Sequence, residues 1–189
     1  RVWVDPDGVA WAIGDAGTIL RCQGKSCTAL DSGTPEDLYA IFGRSAQEVW
    51  AAGYYGTVVK CSPSACTVVS TRTVNQTPLL GVWVSDSGEV WAVGYTGLVF
   101  KCDTSACAKI SSGTTDRLPR VWGSARGEVW TAGDGGTVLR CSGTTCTKIP
   151  SGTSRDLYDV WASGDGTAWV VGDGGTILQC RGSGCSPLA

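Results

Sequence analysis

Ten cysteines fall into five C-x4-C pairs: Cys22 with Cys27, Cys61 with Cys66, Cys102 with Cys107, Cys141 with Cys146, and Cys180 with Cys185. Two thiols so spaced can close a disulfide or supply half of a zinc site. Zinc wants four ligands close together, and these pairs lie in separate parts of the chain with no histidine to complete a set. Disulfides are therefore expected within each pair, and neither a metal nor a cofactor is expected. The spacing suits a hairpin with a two-residue turn. In the first pair the turn is Gly24-Lys25, closed by Gln23 and Ser26. Cys22 and Cys27 then face each other on a non-hydrogen-bonded pair, with Cα atoms ~4.5 Å apart, within disulfide reach. Gly24, Gly143 and Gly182 open three of these turns, as type II′ prefers, whereas Pro63-Ser64 must turn differently. Each bridge closes a short loop worth ~2 kcal/mol in the chain-entropy account. Five bridges imply an oxidising, extracytoplasmic setting: secreted, periplasmic or cell-surface.

The absence of histidine also removes a Ser-His-Asp triad, a Cys-His pair and an imidazole switch. Carboxylates remain. Asp15, Asp134 and Asp173 recur in Gly-rich turns, and Glu36, Asp37, Asp116 and Asp156 fall in segments expected on the same face. Paired carboxylates can cleave glycosidic bonds. Asp in Gly-Asp-Gly-Gly-Thr is also what a tight turn requires, and that is the preferred explanation. Asp5, Asp7 and Gly8, with Asp86 and Gly88, form acidic turns without EF-hand spacing. The net charge of −2 gives no reason to expect nucleic acid. No apolar run approaches the ~20 residues of a membrane span. With no methionine, no signal-peptide features and Arg1 first, the sequence looks like a processed chain or an excised domain.

These residues sit in a repeat. Segments 10–22, 49–61, 90–102, 129–141 and 168–180 align in register, with Trp11, Trp50, Trp91, Trp130 and Trp169 spaced by 39, 41, 39 and 39. A second aromatic recurs at Trp3, Phe42, Trp83, Trp122 and Trp161. A period near 40 signals a propeller or solenoid. Each unit holds four strand signals, in the last copy at 157–163, 167–172, 176–181 and 185–188. The second strand is apolar on both faces (Val90, Trp91, Ala92, Val93), so both faces must be covered. The fold expected is all-β: a single five-bladed β-propeller over 1–189, with four antiparallel strands and one intrablade disulfide per blade. The blades span roughly 1–33, 34–72, 73–113, 114–152 and 153–189. The phase of the repeat predicts a monomeric ring closed non-covalently between first and fifth blades. The recurrent Trp residues are then core between blades. Arg21, Lys60, Lys101 and Arg140, before the first Cys of four copies, form a solvated face rather than a cationic ring.

In segments 130–140 (WTAGDGGTVLR) and 169–179 (WVVGDGGTILQ), and less closely in all five copies, the sequence resembles exported bacterial propeller repeats. The similarity is to photosystem II assembly-factor-like propellers and to the wider Asp-box (sialidase-type) and two-component-regulator repeats. It implies a propeller blade and an exported bacterial setting. A C-x4-C hairpin stands where those repeats carry the Asp-box, so no activity or partner is carried over.

The copies also deviate. The Gly-Asp-Gly-Gly-Thr turn becomes Gly-Tyr54-Tyr55-Gly-Thr in the second copy and Gly-Tyr95-Thr-Gly-Leu in the third. Turn chemistry gives no reason for Tyr there. The linker between these copies, 70–78, is two residues longer and carries Arg72, Asn75 and Gln76. Tyr54, Tyr55 and Tyr95 for stacking, with Arg72, Asn75 and Gln76 for polar contacts, form the expected ligand site. The function expected is a non-enzymatic binding or adhesion module, lectin-like, for a carbohydrate or a protein or peptide ligand. The alternatives are a polysaccharide-acting enzyme using paired carboxylates, or a rigid spacer.

Overall fold

The computed structural model describes residues 1–69 and 76–188. It is an all-β, five-bladed β-propeller: five four-stranded antiparallel sheets, each in simple up-and-down order. The first strands are Val2–Val4, Leu38–Ser45, Leu79–Val84, Arg120–Gly123 and Leu157–Ala162. The last strands are Ser26–Leu30, Cys66–Val68, Cys107–Ile110, Thr145–Lys148 and Gly184–Pro187. In the fifth unit the strands match the sequence expectation to within a residue at each end. No helix among the described residues is long and apolar enough to cross a membrane.

All five expected disulfides are present: Cys22 is bonded to Cys27, Cys61 to Cys66, Cys102 to Cys107, Cys141 to Cys146, and Cys180 to Cys185. In each blade the two cysteines face each other across the last two strands. Their Cα atoms are 3.9–4.0 Å apart, closer than expected for a generic non-hydrogen-bonded pair. The two ends of a bridge differ in burial. Cys141 and Cys180 are fully buried, whereas Cys146 and Cys185 are half-buried and pack against the edges of the neighbouring apolar clusters. Gly24, Gly143 and Gly182 have φ near +60° and the residues after them do not, the pattern of a type II′ turn. The third blade makes its turn differently: Asp103 Oδ1 accepts from the backbone N–H groups of Ser105 and Ala106.

Blades are joined by apolar packing. Trp11, Trp50, Trp91 and Trp130 are at most 1% exposed. Four clusters among the described residues fill the junctions one-to-two, two-to-three, three-to-four and four-to-five. At the axis the first-strand aromatics overlap the next blade. Trp3 lies against Gly43 and Trp83 against Gly123, where a Cβ would meet the rings at 2.7 and 2.1 Å. Phe42 meets Trp122 edge-on at 5.3 Å.

The expected closure of the first blade on the fifth is not found. Trp161 is 50% exposed, and Val2 and Val4 on the facing side of the first blade are 65% and 53% exposed. The outer faces of the first and fifth blades therefore do not cover one another.

A direct check compares equivalent positions in blades four and five. Val138 is fully buried and Ile177 is 44% exposed. Val138→Ala should cost about 2 kcal/mol in urea unfolding, and Ile177→Ala about 0.5 kcal/mol or less. Equal costs would mean that the fifth blade's outer face is covered in solution.

Candidate functional site

The Gly-x-x-Gly turns between second and third strands gather on one face, held by the linkers that join the blades. Leu38 N–H donates to Gly14 O of the first blade, while Asp37 O accepts from Tyr54 N–H of the second. The same pair recurs as Leu118 N–H to Gly94 O with Asp134 N–H to Arg117 O, and as Leu157 N–H to Gly133 O with Asp173 N–H to Asp156 O. The first Gly is fixed by this approach: at Gly53 and Gly133 a Cβ would sit 2.0 Å from the linker carbonyls of Asp37 and Arg117.

The third turn residue is left-handed in every blade: Ala16, Tyr55, Thr96, Gly135 and Gly174 have φ of 50–62°. Tyr55 therefore occupies a conformation that two of its sisters give to Gly, and tyrosine gains nothing there from the turn. Tyr54 and Tyr55 pack edge-on at 4.6 Å, and Tyr55 and Tyr95 are exposed. Gln76 is exposed too, with φ of 60°. Arg72 and Asn75 lie outside the described residues.

The same face opens on a cavity of about 510 Å³ at the axis. All five blades line it, through Arg1, Tyr39, Leu80, Arg120 and Tyr158, and Arg117 and Asp15 stand at its mouth. Arg120 Nη1 donates to the carbonyls of Leu80 and Pro119, and Asp159 lies 3.8 Å from its Nε. Burial, then the nearby charge of Arg1, lowers the Arg120 pKa from its ordinary value. Arg117 makes a forked pair with Asp134 at 2.9 and 3.1 Å, which raises its own pKa. Tyr158 donates to Asp173 at 2.6 Å, and that bond holds the phenol above its usual range. Tyr39 is raised as well, by burial and then by Asp37 and Tyr54. Tyr54, Tyr55 and Tyr95 lie in turns of this same face but are not among the residues that line the cavity.

Sequence reasoning passed over Arg1, Arg117 and Arg120. The signal was present. Arg117 stands where two of the other linkers carry Asp37 and Asp156, which cap the turn amides of Ala16 and Gly135, and the remaining one carries Pro78. Arg1, Ala40, Gly81, Arg120 and Asp159 are one repeat position, two before the first-strand aromatic, and it varies in charge and size.

Other candidates are structural. Lys60, Lys101 and Arg140 pair with Glu48, Glu89 and Glu128 and lie over Trp50, Trp91 and Trp130 at 5.4–5.8 Å. Asp5 caps its turn through Val9 N–H. Asp116 accepts from Thr114 and Thr137, locking a linker to the fourth blade. Among the described residues no group of three or more Asp, Glu or Cys is placed to hold a metal.

No family model and no curated protein matches this sequence. Solved structures do match its fold. A streptogramin B lyase structure superposes on 99% of this chain and 67% of its own, at 16% identity and a TM-score of 0.83. YCF48 bound to a D1 peptide covers 95% of this chain and 63% of its own, at 15% identity and 0.68. YCF48 from Cyanidioschyzon merolae covers 95% and 66%, at 14% and 0.70. The chain thus spans about two thirds of the length of each. These likenesses show the propeller fold. They also correct one expectation: a fold that serves a lyase gives no ground for the non-enzyme assignment, which does not stand.

The Tyr158–Asp173 pair gives a titration test. The fold favours the protonated phenol, so this contribution to stability is present below pH 10 and lost as pH rises through the raised value. In alkaline absorbance titration, Asp173→Asn should move one tyrosine midpoint back toward 10. An unchanged curve would show that the bond does not persist in solution.

Proposed function

We propose that this propeller, in an extracytoplasmic setting, recognises a carboxylate-bearing segment of a peptide or acidic glycan in the axial cavity of the turn face. The observation that carries the reading is the convergence of Arg1, Arg117 and Arg120 on one cavity. Guanidinium groups recognise planar carboxylates bidentately. Arg120 is already fixed by two backbone carbonyls, so little side-chain freedom is lost on binding. Tyr39 and Tyr158 line the same cavity, and the Tyr158 oxygen, whose proton is given to Asp173, is left to accept from a ligand donor. Tyr54, Tyr55 and Tyr95 would stack on the ligand's flank, with Gln76, Arg72 and Asn75 as polar contacts from the longer linker. Likeness to a propeller solved with a bound peptide supports the ligand class without fixing it.

A second reading is catalysis at the same mouth. It is favoured by the likeness to a lyase structure and by the Tyr158–Asp173 pair, which keeps a proton on a phenol facing the cavity. Incubation with acidic polysaccharides, followed by reducing-end and unsaturated-product assays, separates turnover from binding.

Two variants test the main reading on arrays of acidic peptides and oligosaccharides. Arg120→Gln should weaken any ligand found by about tenfold or more and flatten the salt dependence of binding, since a charge-assisted hydrogen bond is worth about 1.5–3 kcal/mol. Replacing Tyr54-Tyr55 by Asp-Gly should stabilise the fold by about 1 kcal/mol through relief of the left-handed tyrosine. It should also weaken the ligand by about 2 kcal/mol, as for an aromatic hot spot. Unchanged affinity in both variants would place the ligand elsewhere.

A further inference from the structure

The two outer faces of this propeller are a matched pair that do not meet each other. On the fifth blade Trp161, Val171, Ile177 and Leu188 are 42–50% exposed. Their equivalents one unit earlier are Trp122, Ala132, Val138 and Ile149. The last three of these are at most 2% exposed, covered by the fifth blade, and Trp122 packs against that same junction. On the first blade Val2 and Val4 are open, whereas their equivalents Val160 and Ala162 are 3% and 5% exposed against the fourth blade. Each open face therefore carries the residues that bury a neighbouring blade at four other junctions of this molecule. A row of large exposed apolar side chains of this kind marks an interaction surface.

The occupant follows from the same register. What fits the fifth blade's outer face is the inner-facing side of a blade like those already packed, and what fits the first blade's face is the outer side of another. We infer that the gap is closed by two further blades of this same repeat, which cover Trp161 on one side and Val2 and Val4 on the other. The number comes from the comparison structures. The rigid superposition at a TM-score of 0.83 accounts for 67% of the lyase chain. The remaining third is about 90 residues, or about two repeats of this period. A second copy of the chain is the poorer occupant, because head-to-tail pairing of a five-blade arc gives a heterologous contact that closes only if the rotation permits.

The test is a ladder of proteins. Leu188 is equivalent to Ile149, so one, two or three further copies of 150–188 can be joined after Leu188 through the natural linker. The protein with two added copies should be monomeric, have the highest urea midpoint of the series and bind several-fold less of a dye for exposed apolar surface than the 189-residue chain. A maximum at one or three copies overturns the number. A 189-residue chain that forms a stable dimer, and gains nothing from added copies, overturns the occupant in favour of a second copy. Val4→Asp in the unextended chain is an independent check that needs no added blade. It should leave the midpoint unchanged, and a marked loss would show that five blades already close on themselves. In the protein with two added copies the same change should lower the midpoint.

Discussion

The hydrogen-bond exchange that three of the linkers make with the turns on either side of them is the constraint on which the rest of this structure depends. A linker leucine amide is given to the turn behind, and the carbonyl before it receives an amide from the turn ahead. Leu38, Leu118 and Leu157 are buried, so their amides must be paired, and the exchange sets how closely successive sheets approach. In the second to fifth blades Gly is required at the first turn position because the linker carbonyl occupies the space of a Cβ. Apolar packing then fills the wedge that this spacing leaves, and Trp11, Trp50, Trp91 and Trp130 on the second strands of the first four blades are its largest pieces.

The same constraint explains where chemistry can enter. Positions that build the lock repeat, and positions that only face the axis or the mouth are free to change. The first-strand position occupied by Arg1, Ala40, Gly81, Arg120 and Asp159 is one of these. Small residues in the second and third blades leave a space that two arginines border, and that space is a second axial cavity of about 180 Å³ continuous in its lining with the first. Edge-on contact between Phe42 and Trp122 lies among these same strands and narrows the axis. Charge at the mouth is mixed rather than uniformly positive: Arg117 faces Asp134 and Arg120 faces Asp159. A ligand there must offer acceptors good enough to compete with carboxylates already in place.

Much of this was legible in the sequence. Regular spacing of Trp and Cys specified the blade, its four strands and its disulfide, since a side chain's face is set by position in the strand. Type II′ turns followed from Gly at one place. Tyr55 was recognisable as a residue without a turn rationale, and its φ of 55° supplies the physical reason. Ring closure was not legible, because the angle between blades arises from side-chain volumes summed across a junction and leaves no local pattern. The arginine cavity was overlooked for a different reason. Arg117 and Arg120 look like ordinary surface charge until the blades are superposed and shown to bring them to one axis.

If the linker–turn exchange governs the packing of blades, the amides that take part in it should be as protected as the strands. Native-state hydrogen exchange at Tyr54, Asp134 and Asp173, each donating to a linker carbonyl, tests this directly. The account predicts opening free energies close to those of the second-strand amides around Trp50 and Trp130. Exchange as rapid as at the exposed hairpin tips near Gly24 and Gly143 would contradict it, and would leave apolar packing alone to set the arrangement of the blades.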